Sequence, residues 1–207
     1  MAKAASGDAA SSGKAADEYK FETLPDLMAP RMKLVFVGIN PSVISVEQGH
    51  YFARKTNRFW PAFSASRLSL SARRALDVTV LTPEHDAALL RLGIGFTDVV
   101  KIPSGNAAEL DAAAFALWAP RLLARLERHA PLVACFHGVT AYRGFARHAL
   151  GDRDAGADLG PQPARVGRTR LFVVPNPSPA NAHFTVVDQR RWYDRLARYL
   201  EGAPQTL

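Results

Sequence analysis

The 207-residue chain contains one cysteine, Cys135. A lone cysteine excludes an internal disulfide, a cysteine-ligated iron–sulfur cluster and a cysteine-rich zinc site. Long apolar runs are missing as well. None approaches the roughly 18–20 residues a helix needs to cross a bilayer, so no membrane partner is expected. The opening MAKAASGDAASSGKAADEYK has no apolar stretch of the kind a secretory signal carries. Its Ala, Ser and Gly with scattered charge predict a disordered tail over residues 1–25. Neither G-x-x-x-x-G-K-[ST] nor G-x-G-x-x-G occurs, which leaves a nucleotide-binding enzyme without its phosphate cradle. No internal repeat is present, and no cofactor or metal is expected.

What is present is an ordinary globular composition, 48% hydrophobic and 22% charged, and enough chain over residues 26–203 for one domain with one core. Lys plus Arg number 26 against 19 Asp plus Glu, giving a net charge of +7. Such an excess favours polyanions, because each phosphate neutralised releases condensed counterions. Twenty of the 26 cations are Arg, whose planar fork suits phosphate oxygens, although a GC-rich genome, which favours Arg codons, produces the same bias.

The apolar run Lys33–Ile39, ended by Asn-Pro, predicts a buried parallel strand. A helix is predicted over Asn57–Arg67, with Asn57 at the cap and Trp60 and Phe63 on one face. Pro83–Leu92 predicts a second helix, stopped by Gly93 and Gly95, and Phe96–Val100 a strand. Glu109–Arg128 reads as an amphipathic helix with Leu110, Ala114, Leu117, Leu122 and Leu126 inward, kinked or split at Pro120. A strand over Leu132–Phe136 turns at His137-Gly138 into a helix over Thr140–Ala149. Gly151–Gly167 predicts a surface loop, Arg170–Val174 a strand and Asp188–Glu201 the last helix. Alternating strands and helices imply an α/β fold, its parallel sheet covered on both faces. In such sheets the site collects at the carboxyl ends of the strands, where Gly38–Ser42, Asp98, His137-Gly138 and Asn176–Asn181 all fall.

Gly38-Ile39-Asn40-Pro41-Ser42, the block Phe52…Asn57-Arg58-Phe59-Trp60, and Pro175-Asn176-Pro177-Ser178 together resemble the mismatch-specific uracil-DNA glycosylase family. That family includes thymine-DNA glycosylase and bacterial relatives within the uracil-DNA glycosylase superfamily. The likeness runs from about Lys33 to Leu200. It implies a three-layer α/β/α sandwich with a short, mostly parallel sheet. It also implies a monofunctional repair glycosylase acting on flipped uracil, with thymine or other modified pyrimidines as further candidates, in double-stranded DNA with mismatched or damaged pyrimidines. Such a protein is expected to be monomeric, cytoplasmic and associated with the nucleoid.

Breaking a nucleoside C–N bond needs a positioned water, a stabilised leaving base and a pocket outside the base stack. The resemblance gives the water to Asn40, whose amide oxygen can hold it but cannot take its proton. The competing reading is that Asn-Pro only starts a turn. The backbone N–H near Ile39 is a candidate donor to a pyrimidine carbonyl. Ser42 stands where the strictly uracil-specific branch has a Tyr that rejects the thymine methyl. Phe52 matches the aromatic that stacks on the flipped base, against a purely packing role. Asp98 departs from the family's Asn or Lys. It is a candidate general base, or else a turn cap or a partner of Arg or Lys101.

Asn176 replaces the catalytic His of other branches, so it is a candidate for binding the base but strong electrophilic help to the leaving group is not expected. Ser178, Pro179, Ala180 and Asn181 match the loop that pinches a phosphate and enters the helix; Ala180 is a poor wedge, with Asn181, His183 and Phe184 as substitutes. His137-Gly138 precedes a helix whose N-terminus is a phosphate-site candidate, against a tight turn alone. Arg190, Arg191, Arg195 and Arg198 read as a solvated face. A damage-binding module with little hydrolysis is the alternative that Asn40 and Ala180 leave open.

Overall fold

The computed structural model describes residues 21–106, 109–156 and 158–202. Residues 1–20 of the expected tail lie outside this range. Its last residues are packed rather than tail-like, with Leu24 2% exposed and Phe21 edge-on against Trp118 at 6.1 Å.

Five strands form one sheet in the order β2-β1-β3-β5-β4, with β1 at Leu34–Gly38, β2 at Ile94–Asp98, β3 at Val133–His137, β4 at Gly160–Val166 and β5 at Thr169–Val174. All neighbours are parallel except β4 and β5. The helices are α1 (Val43–Gln48), α2 (Phe59–Ala65), α3 (Leu70–Ala75), α4 (Asp86–Arg91), α5 (Ala112–His129), α6 (Val139–Ala149) and α7 (Val186–Glu201).

Alternation along each strand divides the core in two. Val35, Val37, Ala134, Phe136, Leu171 and Val173 pack against α5 and α6. Leu34, Phe36, Phe96, Val133, Cys135, Phe172 and Val174 pack against α2, α4 and α7. Because both faces are covered, these strands read as continuous apolar runs, and the architecture is the three-layer α/β/α sandwich.

Several expectations are corrected. Gly151–Gly167 is not all loop, because it contains β4. Pro161 and Pro163 hide this strand in the sequence, and an edge position tolerates them because no further strand needs their N–H groups. Pro120 does not split α5, which runs unbroken over 18 residues. Ala116, whose carbonyl loses its donor, lies on the exposed face, where water can bond to it.

The buried stripe of α5 is Phe115, Trp118, Ala119, Leu122 and Leu126, and Leu117 is 52% exposed. Gly93, with φ of +80°, ends the preceding helix as expected. Gly95 is no stop signal. It lies inside β2, where a Cβ would collide with the Leu27 carbonyl and the Met32 side chain.

From the middle of the sheet the chain leaves β1 toward β2 on one side and leaves β3 toward β5 on the other. This reversal opens a crevice beyond the carboxyl ends of β1 and β3.

Candidate active site

A cavity of about 430 Å³ fills that crevice. Its lining includes Ile39, Asn40, Ser42, Phe52, Asp98, His137, Asn176, Ser178, Pro179 and Ala180, so ten residues singled out from the sequence meet in one place. Gly138 and Asn181 do not line it but contact Asn176, which does. Tyr51, Ser45, Arg54, Ser104 and Asn106 also line the cavity and were not anticipated. Ser45 sits in the short helix α1, and the other four sit in loops whose composition carries no periodic signal.

Asn40 lies two residues beyond the end of β1. Its Nδ2 donates to the Ile102 carbonyl at 2.9 Å and to Ser104 Oγ at 2.8 Å, with a longer approach to the Pro41 carbonyl at 3.3 Å. Both amide hydrogens are thereby committed, and the planar amide leaves Oδ1 as the free acceptor. Ser42 caps α1 by accepting from Ser45 N at 3.1 Å, and its hydroxyl lies 3.0 Å from Ser45 Oγ. Its small size keeps that wall open.

Phe52 holds a left-handed backbone, φ +55°, a conformation a bulky residue adopts only when its surroundings enforce it. One ring face stacks on Phe59 at 4.4 Å and 17° between planes, and an edge meets His137 at 5.0 Å. A flat aromatic backed by another aromatic is a suitable platform for a planar base.

Asp98 ends β2 opposite Gly38. It is 2% exposed, and its Oδ2 has no hydrogen-bond partner among the described residues. Burial, opposed by Lys101 and Arg125 and helped by Asp26, leaves its carboxyl raised to about 7. A carboxyl so poised exchanges a proton near neutrality, as a general base must. The alternative pairing with Lys101 is not what forms, since that ammonium bonds Asp26 at 3.0 Å.

The loop after β5 is built from its own polar groups. Asn176 Oδ1 accepts from Ser178 N at 2.9 Å, Ser178 Oγ from Ala180 N at 3.3 Å, and the Asn176 carbonyl from Asn181 Nδ2 at 3.0 Å. Arg58 clamps it from α2, donating through Nη1 to the carbonyls of Ser178 at 2.8 Å and Asn181 at 3.0 Å. The Ser178 N–H is therefore engaged inside the loop, and Asn176 keeps only Nδ2 as a donor for a ligand. The cap of α2 is Arg58 rather than Asn57, which accepts from Phe59 N at 2.9 Å from one residue earlier.

His137 and Gly138 are both engaged within the fold. His137 is 1% exposed, lies 2.9 Å from the Tyr193 hydroxyl, and burial pushes its imidazole down to about 3. Gly138, at φ +100°, donates its N–H to the Val174 carbonyl at 2.8 Å. His137 lines the cavity as a neutral, buried ring, and Gly138 packs beside Asn176.

A family model described as the uracil DNA glycosylase superfamily matches residues 25–201, which takes in both sheet faces and every cavity-lining segment from β1 to the loop after β5. The activity that goes with this superfamily is hydrolysis of the bond between uracil and deoxyribose in DNA. The chain belongs to the uracil DNA glycosylase superfamily.

Proposed function

We propose that this protein is a monofunctional, monomeric DNA repair glycosylase that takes uracil from mismatched double-stranded DNA, extrudes it into the cavity, and leaves an abasic site. The observation that carries this reading is the meeting, in one 430 Å³ crevice, of an amide with a free oxygen, a buried carboxyl and an aromatic platform. In this reading the Asn40 Oδ1 accepts a hydrogen bond from the attacking water. Asp98 takes the water's proton as the oxygen bonds to the anomeric carbon, and the C–N bonding pair leaves with the base. Phe52 stacks on the base, and Asn176 Nδ2 donates to it. No lysine is among the described residues that line the cavity, and water serves as the attacking group in this reading.

A preference for mismatches is supported by the tip of the loop after β5. Ala180 is exposed and too small to fill the gap that an extruded base leaves. Bases in weak pairs cost less to unstack, so a protein with a poor wedge favours them. The test is a panel of oligonucleotides carrying uracil, thymine, ethenocytosine or hypoxanthine, single-stranded and mispaired, scored for abasic sites. Uracil opposite guanine is expected to be the best substrate. Tight binding to that duplex without abasic product would instead identify a damage-binding module.

A further inference from the structure

The wall behind Asp98 is ionic. Lys101 is fully buried, a rare state for a lysine, with Nζ 3.0 Å from Asp26 Oδ1 and 3.3 Å from the Tyr51 hydroxyl. Asp26 also accepts from Thr97 Oγ1 at 2.6 Å and pairs through Oδ2 with Arg125 Nε at 3.1 Å. Arg125 closes the circuit, since its Nη2 donates to the backbone carbonyl of Asp98 at 3.1 Å. Buried ion pairs are poor sources of stability, because desolvation consumes most of the Coulomb gain. This one has a neighbour that needs it. Lys101 and Arg125 carry two positive charges, and Asp26 supplies one negative charge. The group is neutral only when Asp98 is ionised.

From this arrangement we infer that Lys101 is a positioning residue for base release: held by Asp26, its ammonium supplies the charge against which the buried Asp98 carboxylate ionises, while Asp26 limits that effect by sharing the ammonium. The inference rests on the reading of Asp98 as the proton acceptor. The other ionisable groups around Asp98 are Arg125 from α5, the Tyr51 phenol, and the neutral His137 across the cavity; Asp86 lies beyond, accepting from Tyr51 N at 3.0 Å.

Two substitutions should act with opposite sign, which no merely structural role produces. Single-turnover release of uracil from a G·U duplex is followed against pH for the unaltered protein, Lys101→Met, Asp26→Asn and Asp98→Asn. The unaltered rate rises with pH through a midpoint near 7. Lys101→Met moves that midpoint up and Asp26→Asn moves it down, each by about one pH unit or more. Thermal melting run in parallel reports lost stability separately. A Lys101→Met midpoint equal to that of the unaltered protein, or both midpoints moving the same way, overturns the inference. Should Lys101→Met not fold, Asp26→Asn retains the ammonium, and its midpoint must still fall. If Asp98→Asn keeps the limb, the reading of Asp98 has failed and the inference falls with it. A limb lost in Asp98→Asn but unmoved by the other two variants sinks the inference alone.

Discussion

The Oδ1 of Asp98 occupies the space that a Cβ on Gly38 would fill. The two residues are opposite one another in the β1–β2 register, so the glycine of the Gly-Ile-Asn-Pro segment is what lets the carboxyl lie across the end of β1. The same Cβ would approach Phe52 Cζ to 3.8 Å. Gly38→Ala is therefore expected to displace the carboxyl by about an ångström and slow base release on the order of 10²-fold. Single-turnover rates read the effect, and unchanged DNA affinity separates it from misfolding.

Asp98 also links stability to pH. Its carboxyl binds a proton far more readily in the folded chain, where its pKa is about 7, than at its ordinary value of 3.8. The folded state thus holds the extra proton between these values. The stabilisation is complete below about pH 4 and is lost as pH rises through 7. Asp98→Asn should flatten this decline, melting higher than the unaltered protein at about pH 8 while releasing base far more slowly. Melting curves across that range check the sign.

Arg58 is expected to matter through the loop it clamps. Arg58→Ala removes the donor to the Ser178 and Asn181 carbonyls and frees the segment meant to meet DNA. Weaker duplex binding, on the order of 10-fold, should exceed the loss in the rate of the bound complex, because hydrogen bonds from a charged donor contribute about 1.5–3 kcal/mol. Arg58→Lys should restore little, since an ammonium lacks the planar fork. Binding and single-turnover measurements on the same duplex distinguish the two effects.

His137 gives a contrasting expectation. A residue that contacted phosphate would change the salt dependence of DNA binding when replaced. Buried and bonded to Tyr193, His137 should leave the salt slope unaltered in His137→Gln while lowering stability by about 1–3 kcal/mol. Titrations at several salt concentrations and a denaturation curve decide it.

The sequence disclosed most of the site because its carriers are punctuation. Asn-Pro after β1, His-Gly after β3 and Asn-Pro-Ser after β5 mark the places where apolar runs stop, and stops in a parallel sheet share one rim. What remained hidden depended on partners distant in the chain. Lys101 gives no sign of being buried until Asp26, 75 residues earlier, is seen beside it. Arg58 shows no role of its own in the sequence until the loop 120 residues later reaches it. His137 looks like a surface turn because the Tyr193 that holds it comes from the last helix. The edge strand β4 was lost for a local reason, because its prolines imitate a loop.

The role of Asn40 is the most directly testable. Uracil release from a G·U duplex is measured in single turnover with Asn40→Ala, alongside the affinity for the same duplex. Loss of a group that orients the water should slow the abasic product by about 10²-fold or more while binding persists. An Asn40→Ala protein that releases uracil at the unaltered rate would contradict the account.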